Sequence, residues 1–139
     1  MNIVIVGAKD RDSVDDQADV LQLLNLLEAK YGVFTVITMM SHTGIGKLVK
    51  AEANVPKNGR KYRFPFCEAD VRVHANDLSR DAMAQIYTAR NAMLFEIGDM
   101  FYSFPHPQRR AVIDELIDKR VMPANRPYRV FQPGDPIEV

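Results

Sequence analysis

Cysteine is nearly absent from this 139-residue sequence. Cys67 stands alone, so neither an intramolecular disulfide nor a cysteine-based zinc site can form, a usage that fits a reducing cytoplasm. Histidine is scarce as well, and the three present are scattered without metal-ligand spacing, so no metal and no cofactor is implied. No apolar run approaches the roughly 18 residues that span a bilayer. The opening MNIVIVGAKD has no basic stretch followed by a cleavage site, so export is not expected either. Charge of one sign is also missing. Eighteen basic and eighteen acidic residues cancel, which removes the global field that draws proteins onto nucleic acid or anionic membranes. Any ligand charge must be met locally. The length suits one domain over residues 1–139, with a real core but without room for a second.

What the chain does hold is alternation of strand and helix signals. Asn2 to Val6 is a β-branched run ended by Gly7, the pattern of a strand buried on both faces. Ser13 to Lys30 turns helical, with Ser13 as N-cap, Asp15 and Asp16 in the first turn, and Val14, Ala18, Leu21, Leu24 and Leu27 at helical spacing. Gly32 stops it. Val33 to Thr38 is a second buried-strand run, followed by a loop from Met39 to Gly46 and a short helix from Lys47 to Ala53. Tyr62, Phe64 and Phe66 alternate as in a strand, and Asp77 to Ile97 is periodic as a helix closed by Gly98. Asp99 to Phe104 predicts a strand, Arg109 to Arg120 a helix and Tyr128 to Phe131 a last strand, with a mobile or edge-packed tail beyond. Strands alternating with helices imply an α/β fold: a single three-layer Rossmann-like domain around a mostly parallel sheet.

Ligands of such sheets bind beyond the carboxyl ends of the strands, which selects three loops. In the first, Gly7 would admit a ligand to the backbone, Lys9 offers a cation, and Asp10 could accept from a ribose hydroxyl or a base amine; a solvated turn is the alternative. In the second, Ser41-His-Thr-Gly-Ile-Gly-Lys47 sits between strand and helix as a phosphate loop does, yet lacks the first glycine and the magnesium-binding hydroxyl of an NTPase. Ser41, Thr43 and the amides from Gly44 to Gly46 could hold a phosphate without metal, or the glycines could simply permit the turn. The third loop, Pro105 to Arg110, lies near Arg90 and Glu115 if two crossover helices flank one strand. Arg90 could then orient Glu115 and grip a phosphate. Glu115 with Asp114 and Asp118 also fits a solvated face. Tyr87, Met93, Phe95, Phe101 and Phe104 fit a core, and Lys57, Arg60, Lys61 and Arg63 a solvated loop.

Taken in order, Tyr87-Thr-Ala-Arg-Asn-Ala-Met93, Gly98-Asp-Met-Phe-Tyr-Ser-Phe-Pro105 and Asp114-Glu-Leu116 resemble the SLOG superfamily. That superfamily includes the LOG-type phosphoribohydrolases and the YspA-like proteins, and Val4-Ile-Val-Gly-Ala-Lys-Asp10 resembles the YspA-like opening. The resemblance covers most of the chain. It implies a nucleotide-binding Rossmannoid that cleaves the N-glycosidic bond of a nucleoside 5′-monophosphate or transfers the sugar, with Arg90 and Glu115 as the catalytic pair and Asn91 beside them in the ligand site. The glycine-rich phosphate loop of LOG-type members appears here as Pro105-His-Pro-Gln-Arg-Arg110, in which Arg109 and Arg110 would supply side-chain charge in place of amides. A non-catalytic sensor or sequestering protein for a nucleotide-derived ligand is the second expectation. A homo-oligomer is expected from the frequency with which such small domains pair.

Overall fold

Ile3, Val4, Ile5 and Val6 are four branched side chains in succession, and an extended strand sends them alternately to the two faces of a sheet. All four are at most 1 % exposed, so both faces are covered and the strand they form, β1 (Asn2–Gly7), is central. The computed structural model describes residues 1–39, 41–69, 96–108 and 126–139. After β1 come α1 (Val14–Tyr31), β2 (Thr35–Met39), α2 (Gly44–Ala53), β3 (Phe66–Ala69), β4 (Met100–Phe104) and β5 (Tyr128–Val130). The five strands are parallel and lie in the order β3-β2-β1-β4-β5. This is an α/β Rossmann-like fold. Ile3 pairs with Val36 on one side and with Met100 on the other, so the first strand joins two distant parts of the chain.

Ser13 starts α1 with a capping box: its Oγ accepts from the Asp16 N–H at 3.1 Å while Asp16 Oδ2 accepts from the Ser13 N–H at 3.2 Å. The helix buries Asp16, Val20, Leu23, Leu24 and Leu27, a stripe rotated from the predicted one. Val14 is 80 % exposed and Leu21 39 %. The stripe packs on Ile3, Ile5 and Val36 from one face of the sheet, together with Tyr102 and Phe104 from β4. Val4, Val6, Ile37 and Phe101 alternate with these and are equally buried on the other face.

Other differences from expectation have local causes. β2 begins two residues late because Gly32, at φ 74°, turns the chain and leaves Val33 exposed. α2 begins at Gly44, three residues early. The 62–66 alternation is only partly a strand: β3 starts at Phe66, while Phe64 is fully buried in irregular backbone, its ring stacked on Phe34 at 4.5 Å. The tail is packed, with Phe131 and Ile137 in the core cluster. The helices predicted over Asp77–Ile97 and Arg109–Arg120 fall almost wholly outside the described residues.

The basic stretch is only partly a solvated loop: Lys61 is exposed, but Arg63 is buried. An Asn58-Gly59 turn, both residues at positive φ, folds Lys57 back on Arg60, and three cations converge on α1. Lys57 hydrogen-bonds Glu28, and Arg63, 4 % exposed, reaches Glu28 at 3.2 Å, Glu52 at 3.4 Å and Asn25 at 2.5 Å. The hydrogen bond from Lys57 acts most strongly on the Glu28 carboxyl and holds it below its ordinary 4.5; partial burial opposes this and Arg63 reinforces it. A carboxyl depressed in the folded state contributes stability above its unfolded value and loses it as pH falls through the folded one. Thermal unfolding against pH should therefore show the wild type losing stability below about pH 4.5 more steeply than Glu28→Gln, which starts lower at pH 7. Parallel curves would remove Glu28 from this role.

Candidate functional site

From β1 the chain moves outward through β2 to β3, and only later returns to fill the other side with β4 and β5. The loops leaving the carboxyl ends of β1 and β4 therefore diverge, and a crevice opens between them. The ladder ends where the Ala8 N–H donates to the Phe104 carbonyl at 2.9 Å. Beyond it, a cleft of about 300 Å³ lies among Asp10, Arg11, the first turns of α1, the His106-Pro107 loop and the tail at Pro133-Gly134.

Arg11 is the organising residue. It is 3 % exposed, its Nε donates to Asp16 Oδ1 at 3.0 Å, and its Nη1 donates to the carbonyls of Phe131 at 2.5 Å and Pro105 at 3.3 Å. One guanidinium thus ties together the ends of β1, β4 and β5 and the start of α1, with its plane over the Phe104 ring at 5.3 Å. Its Nη2 is buried and has no hydrogen-bond partner among the described residues. Arg11 itself lines the cleft, with this nitrogen enclosed behind its wall.

Across the mouth, His106 Nε2 lies 3.2 Å from Asp10 Oδ2. His106 Nδ1 accepts from the Gln108 N–H at 3.0 Å, so in the neutral ring the proton sits on Nε2, the nitrogen nearer Asp10. Asp15 and Asp19 add two more carboxylates. Asp19 is raised above its ordinary value, chiefly by burial against the pull of Arg11, with Asp16 and Asp15 adding to the rise. The described lining offers acceptors for hydroxyls and amines, one buried cation and an imidazole.

Of the residues singled out from sequence, Asp10 lines this cleft and Lys9 is exposed beside it. The glycines serve close packing. A side chain at Gly7 would meet Ile45 at 2.5 Å and the Phe104 carbonyl at 2.7 Å; one at Gly44 would meet the Ala8 carbonyl at 2.2 Å; one at Gly46 the Met39 carbonyl at 2.9 Å. The Ile45 amide at the start of α2 already donates to the Ala8 carbonyl at 3.2 Å, and Ser41 and Thr43 bond each other through Ser41 Oγ. Arg90, Asn91, Arg109, Arg110 and Glu115 lie outside the described residues. Arg11, Asp16 and Asp19 were not legible as site residues, because Lys9-Asp-Arg-Asp12 reads as a solvated charge run and nothing in it marks Arg11 for burial.

No protein-family model, curated protein or solved structure matches this chain. Among the described residues no helix is long and apolar enough to cross a membrane, and no group of three His, Cys, Asp or Glu side chains is placed to hold a metal ion.

Proposed function

We propose that this protein binds a nucleoside or nucleotide in the cleft beyond β1 and β4 and cleaves or transfers its N-glycosidic bond. The observation that carries the reading is the position and chemistry of the cleft: it lies where the strand order reverses, and Asp10, Asp19, His106 and Arg11 line a volume suited to one small polar molecule. Carboxylates at such a site accept the hydroxyls of a sugar or the exocyclic amine of a base.

The resemblance to SLOG proteins adds the chemistry. Departure of the base leaves an oxocarbenium-like sugar. Glu115 takes a proton from water as its oxygen attacks the anomeric carbon and the carbon–nitrogen bond breaks, the bonding pair leaving with the base, which picks up a proton; Arg90 keeps Glu115 ionised and oriented. In transfer, the hydroxyl or ring nitrogen of an acceptor takes the place of water.

Binding without catalysis is the second reading. It is favoured by Pro105-His106-Pro107-Gln108 where a LOG-type protein has glycines, and by the Ile45 amide already spent on Ala8. Incubation with nucleoside monophosphates and deoxynucleosides, with released base followed by chromatography, separates the two. The enzyme reading expects release that Glu115→Gln lowers by about 100-fold or more. Absence of release together with a ligand-dependent rise in Tm would leave a binding protein, and the absence of both effects would overturn the proposal.

A further inference from the structure

At the opposite end of the sheet from this cleft is a second hollow of about 400 Å³, sharing no residue with the first. Its described walls come from Lys30 and Tyr31 at the end of α1, Met100 and Tyr102 of β4, Tyr128 and Arg129 of β5, and Pro127 and Val139 beside them. We propose that this hollow is a binding site for a flat aromatic molecule bearing a carboxylate, with the Tyr102 hydroxyl donating to the bound acid.

Tyr102 is 5 % exposed, and its ring is held nearly parallel to that of Phe131, 4° apart at 6.0 Å between centroids. A buried phenol ordinarily finds a hydrogen-bond partner. Among the described residues nothing bonds this one, although it borders an open volume. Burial is the main influence pushing its pKa up, so at neutral pH it is a donor and not a phenolate.

The other lining groups define what that donor faces. Three tyrosine rings with Met100 and Pro127 give an apolar, largely aromatic surface, and a thioether adapts to a ring edge. Lys30 lies with its Nζ 5.3 Å from the centroid of the Tyr31 ring, and Arg129 is only loosely engaged, 3.6 Å from Glu138 with both side chains at least half exposed. No lining side chain among those described is a carboxylate; Glu138 stands outside, on Arg129. Donors and cations around aromatic faces complement a ring with an anionic acceptor. The volume falls in the range of small-molecule sites.

Phenylacetate and its uncharged counterpart phenylacetamide are the probes, titrated into the intact isotopically labelled protein and followed by amide resonances. Phenylacetate is expected to give saturable shifts at Tyr31, Tyr102 and Tyr128, and to bind several-fold more tightly than phenylacetamide. Tyr102→Phe keeps the ring stack and deletes only the hydroxyl, so its Tm should equal or exceed that of the wild type while phenylacetate affinity falls about tenfold. Lys30→Gln should remove the preference for the acid over the amide. Failure of phenylacetate to produce saturable shifts in this hollow, or equal affinity for wild type and Tyr102→Phe, would overturn the proposal.

Discussion

Arg11→Ala is expected to lower the free energy of unfolding by about 3–5 kcal/mol, read from urea denaturation, because it removes one partner of a buried ion pair and strands the other. Asp16 would lose the 3.0 Å bond from Arg11 Nε, and the carbonyls of Pro105 and Phe131 would lose their donor. The size of the effect comes from those stranded acceptors more than from the value of the pair itself. Arg11→Leu combined with Asp16→Asn should therefore recover part of the loss, since asparagine keeps an acceptor for the Ser13 cap while no charge is left uncompensated. A loss below about 1 kcal/mol for the single substitution would mean that water enters and replaces the guanidinium.

Gly44→Ala should be nearly as damaging, at about 3 kcal/mol or more, for two reasons that can be separated. The residue sits at φ 73°, and a Cβ there would lie 2.2 Å from the Ala8 carbonyl and 2.6 Å from the Lys9 backbone. Neither neighbour is a side chain that can swing away. Gly59 is a natural control: its φ is 76°, with nothing within 4 Å of an added Cβ. Gly59→Ala should cost only the conformational strain, about 1–2 kcal/mol. The difference between the two variants measures how tightly the start of α2 is seated on the β1 loop. Equal losses would show that the α2 contact yields freely.

The architecture was readable because its strands are short β-branched or aromatic runs that no helical period explains. NIVIV and MFYSF each fill both faces of the sheet, and Ser13 with Asp16 marks a helix start through local hydrogen bonds alone. The face of α1 was readable only in part: Leu24 and Leu27 are buried as expected, while Val14, Ala18 and Leu21 are exposed. Val14 and Leu21 share its period with Leu24, but tertiary packing selected the neighbouring stripe and buried an aspartate in it. Arg63 and Arg11 escaped for a related reason. A charged residue looks solvated in sequence, and its burial depends on acceptors far along the chain: Asn25 and Glu28 for Arg63, Pro105 and Phe131 for Arg11. Asp10 was legible, since a polar residue just past a strand end is placed by topology and not by packing.

The position of β1 between β2 and β4 also bears on how the chain is made. Its partner on one side, beginning at Thr35, is synthesised soon after it, but its partner on the other side, Met100 to Phe104, follows almost a hundred residues later. A parallel sheet of this kind has high contact order and folds slowly compared with a helical bundle of equal length. On the ribosome, β1, α1 and β2 can associate while one edge of β1 is still open, and such an edge invites pairing with another nascent chain. Arg11 closes that interval last. Its charge is met locally by Asp16, but its guanidinium gains the Pro105 carbonyl only after β4 exists and the Phe131 carbonyl only after β5, so the last hydrogen bonds of the buried arginine come with completion of the sheet.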